Sequence, residues 1–483
     1  MDEYRIKGKV FSGLFWKFGE RITAQLVSLT VSILLARLLS PEDYGVVAIV
    51  MVFITIANVF VSNGFGNALI QKKEADNLDF SSVFYINVLL SIFIYFLIFI
   101  ISPFVAKFYK MPILEPALKV LGLRVIIASI NSIQHAYVSR HMLFKRFFWS
   151  TLFGTLISGV VGIFMAYHGF GVWALVAQYL TNTCIDTIVL WLTVKWRPIL
   201  RFSFERSKSL ISFGWKLLCS GLLDTGYSQL RNLLIGKLYS SADLAYYNQG
   251  DKYPQVIVVN INTSIGSVLF PAMSRFQENK ERVKRMTRSA IQVSSFIIWP
   301  LMIGLAAVAE PLVKILLTDK WLPCVPYLRI FCISYGFWPI HTSNLQAINA
   351  LGRSDLFLKL EIIKKTIGLI ALVISLPLGP LAVAFSLIVT GIISTFINAA
   401  PNRKLLSYSF KEQFSDLLPP FCLALIMGIV VYFLNFLPFS DPIILIIQIL
   451  VGMMIYLVLA ILTKQKGFVF IFKYITTKRR KTN

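Results

Sequence analysis

Apolar runs of twenty or so residues follow one another along almost the whole chain, separated by short polar connections. Each run is long enough to cross a hydrocarbon core of about 30 Å. Apolar runs and turn signals together predict spans at 11–38, 43–70, 80–108, 113–138, 147–167 and 170–194. The next six fall at 209–238, 243–273, 288–317, 322–350, 356–378 and 380–401, and two more at 413–437 and 441–463. No connection exceeds about fifteen residues, which leaves no room for a soluble catalytic domain on either face. The short alternating strands of a β-barrel are not part of the pattern. The expected fold is all-α and polytopic, with about fourteen transmembrane helices.

The pattern also repeats after about 200 residues. "FWKFGERITAQ…LLARLLSPEDYG" (15–45) is echoed by "FGWKLLCSGLL…LLIGKLYSSADLA" (213–245), pairing Trp16-Lys17 with Trp215-Lys216 and Asp43 with Asp243. "LGLRVIIASINSIQHA" (121–136) is echoed by "PYLRIFCISYGFWPIHTSNLQA" (326–347), which aligns Arg124 with Arg329. The turns "HGFGVWALV" and "PLGPLAVAF" close the two halves. Matches in the same order point to duplication. The expected plan is a six-helix lobe over 1–200, a second over 201–408, and two appended helices with a basic tail over 409–483. An even number of helices per unit gives both lobes the same orientation about an axis along the membrane normal.

Polar residues are not scattered evenly over these spans. Residues four apart share a helix face, so Lys17, Arg21, Gln25, Ser28 and Ser32 line one side of the first span. Lys216, Ser220, Asp224, Tyr227, Ser228 and Arg231 do the same on the seventh. The second span carries Asn58, Ser62, Asn63 and Asn67; the eighth carries Tyr246, Tyr247, Asn248, Gln249, Asp251 and Lys252. A charged residue near the bilayer centre costs roughly 2.5–3.5 kcal/mol, so these groups are expected to face one another or water. The simplest arrangement puts spans 1, 2, 7 and 8 around a wet, cationic cleft between the halves. The competing arrangement has Lys17 and Arg21 snorkelling to the headgroups, and Lys17–Glu20–Arg21 and Asp224–Arg231 forming internal ion pairs. Arg124 and Arg329 read as structural pair-formers at the start of their helices. Glu361, Lys364 and Lys365 fit either an interfacial network or a second polar patch.

Composition and charge then fix orientation and exclude other classes. The chain has 483 residues, 57% hydrophobic and only 14% charged, far too little polar surface for a soluble domain. Mean hydropathy is +0.72. The formal net charge of +24 gathers in alternate connections, about thirty basic residues against about six. That asymmetry puts both termini in the cytoplasm and directs the charge to anionic lipid rather than nucleic acid. The start, "MDEYRIKGKV", leads into a long span with no small-residue cleavage site. Cys184, Cys219, Cys324, Cys332 and Cys422 lie far apart, and the four histidines show no ligand pattern, so neither a metal nor a disulfide framework is expected. No cofactor motif, Walker A sequence, HExxH or GxSxG is present in a fitting context. An all-helical chain with polar stripes and two-fold pseudo-symmetry fits a secondary transporter whose halves rock.

"LLARLLSPEDYGVVAIVMVF" (34–53) and "GFGNALIQKKE" (64–74) resemble the Wzx-type polysaccharide flippases, WzxC-like exporters in particular, of the multidrug/oligosaccharidyl-lipid/polysaccharide exporter superfamily. The resemblance covers nearly the whole chain, and Ala36 to Gly45 is its most specific mark. It implies fourteen helices in two lobes, residence in the bacterial inner membrane, and movement of an undecaprenyl-diphosphate-linked oligosaccharide between leaflets, without enzymatic chemistry. Carried onto this chain, the diphosphate would meet Lys17, Arg21, Lys216 and Arg231. The sugars would meet Gln25, Asn63, Asn67, Tyr246, Asn248 and Gln249, with Trp16, Tyr44, Trp215 and Tyr247 as stacking surfaces. Asp224 and Asp251 are the acids to test for coupling to H+ or Na+. A drug/cation antiporter and a lipid II flippase of the same superfamily are the rival readings, and a membrane glycan polymerase a more distant one. Charge reversal at Arg21 or Arg231 is expected to abolish glycan export while leaving the protein inserted. Normal export by both variants in a complementation assay would remove these cations from the mechanism.

Overall fold

The structure, a computed structural model, describes residues 23–62 and 75–473, with Gly19 and Leu69 as single positions; the side chains of 206, 207 and 209–213 are outside that description. The helices in chain order are α1 (Thr23–Leu38), α2 (Pro41–Ser62), α3 (Asn77–Tyr109), α4 (Leu114–Arg140), α5 (Phe144–Tyr167) and α6 (Val172–Thr193). Then come α7 (Phe204–Leu238), α8 (Ser241–Ser274), α9 (Lys280–Ala307), α10 (Ala309–Leu317), α11 (Val325–Gly336) and α12 (Trp338–Ala350). Last are α13 (Ser354–Ser375), α14 (Pro380–Leu405), α15 (Phe410–Phe433), α16 (Asp441–Leu462) and α17 (466–473). No strand occurs among the described residues.

Ten of these helices are long and apolar enough to span a membrane: α2 to α6, α8, α9 and α14 to α16. The other four expected spans are helical too, but each departs from that pattern. The described part of the first is short, α7 is polar along one side, and α13 carries Asp355, Lys359, Glu361, Lys364 and Lys365. The span expected at 322–350 is divided into α11 and α12 by a break at Phe337. Pro339 in the first turn of α12 has no N–H to continue the ladder. Likewise the span expected at 288–317 ends at Ala307, and a nine-residue helix follows Val308. Periodicity does not register a break that keeps both pieces apolar.

The motif at Ala36–Gly45 has a local physical reason. Ser40 caps α2: its hydroxyl accepts from the Asp43 N–H at 3.2 Å, while the Asp43 carboxylate accepts from the Ser40 N–H at 3.1 Å. That is a capping box with proline at the first helical position. Ser240 and Asp243 repeat it at the start of α8, with the corresponding distances 3.0 and 3.1 Å. The paired aspartates of the two echoed segments therefore do the same work. Gly45 is required for a different reason: a Cβ there would lie 1.8 Å from the Ser241 carbonyl oxygen.

Two compact units divide the chain, Met1–Ala245 and Tyr246–Asn483. In the first, α3 with α4 and α5 with α6 form close pairs around Phe80, Ile133, Phe147, Leu190 and Trp196. In the second, α9 packs along α15 around Trp299, Tyr408, Met427 and Tyr456. A buried polar knot ties that pair. Asp416, fully buried, accepts from Arg288 Nε at 2.5 Å, Gln292 Nε2 at 2.6 Å and Tyr408 Oη at 3.0 Å. Lys284 meets Glu412 at 3.0 Å one turn away. Asp416→Leu strands three donor side chains, and breaking such a buried pair costs about 3 kcal/mol. The variant is expected to unfold at clearly lower temperature in detergent, followed by tryptophan fluorescence; an unchanged midpoint would refute the structural role.

Candidate functional site: a polar cavity in the first unit

Helix α4 enters the first unit with one polar face. Arg124, Ala128, Asn131, His135 and Ser139 recur every three or four residues and so share one side. Asn182, Thr183 and Asp186 form the facing stripe on α6, and Asn58 and Ser62 complete it from α2. Where the three meet, the packing leaves a cavity of about 530 Å³ lined by these side chains.

Asp186 is its acidic pole. The carboxylate accepts from Asn131 Nδ2 at 2.5 Å and from the Ser150 hydroxyl, and His135 Nε2 lies 3.1 Å away. The His135 ring is stacked on Phe147 at 4.9 Å, which fixes its plane. Arg124 is the basic pole. Its Nε donates to Thr183 Oγ1 at 2.9 Å, Nη1 points to the Met51 sulfur at 3.7 Å, and the guanidinium lies 5.7 Å from the Tyr179 ring centroid. Among the described residues it forms no ion pair. Thr183 and Asp186 are one turn apart on α6, so a cation and an anion are anchored close together without neutralising each other. The amide oxygens of Asn58 and Asn131 are buried and accept no hydrogen bond among the described residues. Buried acceptors of this kind call for a donor or a cation from outside the chain. The cavity can thus take an anionic group at Arg124 and a proton or small cation at Asp186. No group of three His, Cys, Asp or Glu side chains suited to a metal occurs among the described residues.

The residues expected from spans 1, 2, 7 and 8 are described only in part. Lys17, Arg21, Asn63 and Asn67 lie outside the described residues. Gln25 is half-buried on α1, and Lys216 and Asp224 are exposed on α7. Arg231 is buried at 9% exposure, its guanidinium 5.8 Å from the Tyr227 ring centroid and its Nε without a hydrogen-bond partner among the described residues. In the second unit, Gln249 is buried and donates to Tyr253 Oη at 3.2 Å, and Asp251 accepts from the Tyr335 hydroxyl. Tyr246 packs edge-on against Trp321 and Tyr247 against Phe331, while Asn248 is half-buried. Gln249, Asp251, Tyr246 and Tyr247 thus each have a contact within their unit. Lys364 pairs with Glu361 at 2.5 Å along α13.

Arg124 requires a correction. It sits ten residues inside α4, faces a cavity and has no carboxylate partner among the described residues, so it is not a pair-former at a helix start. Its repeat counterpart Arg329 does serve packing, donating to the Ala306 carbonyl at 3.3 Å beside the Tyr432 ring. Asn131, His135 and Asp186 were not anticipated at all. The signal was present: a polar residue at every turn of the fourth span, and a lone acid within the sixth.

Helical composition, two packed units and an internal polar cavity define a polytopic membrane protein of transporter architecture. Its fold is that of solved flippases and exporters: it matches a lipid II flippase, MurJ, in an inward closed conformation with a TM-score of 0.75 at 16% identity, over 93% of this chain and 98% of that one. An inward-facing multidrug transporter of the MATE family matches with a TM-score of 0.66 at 18% identity, over 80% and 94%. The model of the polysaccharide biosynthesis protein family matches residues 34–326, and the chain belongs to that family. Its curated relatives include the lipopolysaccharide biosynthesis protein WzxC of Escherichia coli, 22% identical over 89% of this chain and 88% of that protein. The teichuronic acid biosynthesis protein TuaB of Bacillus subtilis is 23% identical over 88% and 89%.

If the cavity holds water, cysteines at Ser132 and Ser139 will react with a membrane-impermeant thiol reagent once Cys184, Cys219 and Cys422 are replaced by serine. Cysteines at Ser91 and Ser158, both fully buried, are expected to stay unmodified. Equal reactivity at all four sites would mean that the site is not a defined cavity.

Proposed function

We propose that this chain is a flippase that carries a polyprenyl-diphosphate-linked oligosaccharide across the bacterial inner membrane by alternating access. The cargo would be an O-antigen, capsule or exopolysaccharide repeat unit. The observation that carries the reading is the Arg124 guanidinium, held inside an apolar bundle, facing a polar cavity and not neutralised by a carboxylate among the described residues. Arginine stays charged at any accessible pH, and its planar fork suits phosphate oxygens. Membership of a polysaccharide biosynthesis family supports a glycan cargo. Relatives named for lipopolysaccharide and for succinoglycan biosynthesis transport support it too.

In this reading Arg124 joins Lys17, Arg21, Lys216 and Arg231 as groups that meet the diphosphate as it leaves the headgroup region. Gln25, Asn63, Asn67, Tyr246, Asn248 and Gln249 would serve the sugars. The chain would cross the membrane fourteen times, with both termini cytoplasmic, as two lobes over 1–200 and 201–408 followed by the segment 409–483. It would work as a monomer, alongside the glycan polymerase machinery. For the coupling ion, H+ or Na+, the pair Asp186–His135 is a stronger candidate than Asp224 or Asp251. Its carboxylate lines a cavity together with two unsatisfied amide oxygens. Binding a cation there would neutralise Asp186 and loosen its hold on α4 and α5, which links ion occupancy to helix packing.

A hydrogen bond to a charged group is worth about 1.5–3 kcal/mol, or roughly ten- to a hundred-fold in rate or affinity. Arg124→Gln is therefore expected to slow flipping of a labelled lipid-linked oligosaccharide in proteoliposomes by at least tenfold, with Arg124→Lys intermediate. Asp186→Asn is expected to retain downhill movement and lose its response to an imposed ion gradient. Full activity of Arg124→Gln would overturn the role of the cavity. Activity on a cationic drug, with none on the glycolipid, would overturn the cargo.

A further inference from the structure

A trough in the second unit is built for a different occupant. It lies between α8 and α9, is closed at one side by Phe470 of α17, and encloses about 1010 Å³. Its walls are mostly apolar, with Ile261, Ile265 and Val268 on α8 and Met286, Val293 and Ile297 on α9, interrupted by small polar side chains such as Ser264 and Ser294. Its mouth is basic, formed by Arg282 and Arg285.

The charges at the start of α9 divide into two sets. Lys284 and Arg288, four residues apart, turn inward to Glu412 and Asp416. Arg282 and Arg285 turn the other way, are exposed, and form no ion pair among the described residues. Arg282 is held flat, its guanidinium 3.5 Å from the Phe276 ring centroid. One turn of helix thus offers two cations to whatever fills the trough.

Length identifies the occupant. From Arg285 to Ile297 is twelve residues, about 18 Å of helix, and α8 contributes the same stretch from Ala272 back to Asn260. One leaflet of hydrocarbon is about 15 Å deep, half of a core of about 30 Å. The trough therefore matches the acyl chains of a single leaflet, with the cations at headgroup level, whereas a long polyprenyl chain would overrun it. Basic pockets between transmembrane helices at the membrane surface bind anionic headgroups in this way.

We infer that the trough between α8 and α9 is a binding site for one anionic glycerophospholipid, its phosphate on Arg282 and Arg285 and its acyl chains along Val268, Val293 and Ile297. The site does not depend on the transport reading. It uses none of the cavity residues, and its occupant is a resident of the bilayer rather than the cargo.

The test is native mass spectrometry of the full-length protein, stripped of lipid in detergent and titrated with phosphatidylglycerol or with phosphatidylcholine of the same acyl chains. One phosphatidylglycerol is expected to bind at least tenfold tighter than phosphatidylcholine. The double substitution Arg282→Gln, Arg285→Gln should remove that preference. Ser264→Trp, which fills the trough from an exposed position, should weaken both lipids, and Arg275→Gln with Lys280→Gln should change neither. Equal binding of the two lipids, or an undiminished preference in the double variant, would overturn the site. An equal loss in the Arg275/Lys280 control would reduce it to general surface charge. Displacement of phosphatidylglycerol by substoichiometric undecaprenyl phosphate would reassign it to a polyprenyl chain, also against the proposal.

Discussion

A polar side chain carried into hydrocarbon has to be met from inside the bundle, because lipid offers it neither a donor nor an acceptor. In this chain the requirement is met in two different ways. Around Asp416 the partners are complete: α9 supplies a guanidinium and an amide, and the connection before α15 a phenol, to one fully buried carboxylate. Around Asp186 three neighbours also converge, yet the assembly opens onto a cavity, and two amide oxygens on its walls accept nothing among the described residues. A closed knot holds α9 against α15. An open one leaves free energy available to something that arrives.

That difference separates scaffold from working part. Removing a partner from the closed knot strands a buried charge, so its members are held together by mutual cost. In the open cluster the incoming group can be a proton, a cation or a phosphate, and each would shift the balance between Asp186, His135 and Arg124 differently. The carboxylate bonds α4 to α5 and α6 through Asn131, His135 and Ser150. Its charge state is therefore also a statement about how tightly those helices pack. A transporter that changes shape needs such an element, one whose partners alter with occupancy.

Some of this could be read directly from the residues. The ten long apolar helices, the Ser-Pro-Glu-Asp start of α2 and its echo before α8 follow from local chemistry: span length, capping and the missing N–H of proline. The cap geometry at Ser40–Asp43 and Ser240–Asp243 depends on four consecutive residues and little else. The break at Phe337 and the short α10 were not legible, because both sides of each break keep the apolar pattern. Arg124 reads from sequence as a structural pair-former, whereas in the fold it faces a cavity. A stripe shows which residues share a face and does not show what faces them.

Composition and periodicity by themselves determined that this is a membrane-embedded helical bundle, since length and apolarity are properties of each segment taken alone. They also marked the polar helices, because a charged stripe has a cost wherever it lies. Which polar groups close on one another and which are left around a cavity was decided only by the tertiary structure. Asn131, Ser150 and Asp186 come from three helices and meet through packing that no local pattern encodes. The cavity is what remains when the side chains of α2, α4 and α6 cannot fill the space between them, and a void has no residues of its own to be read.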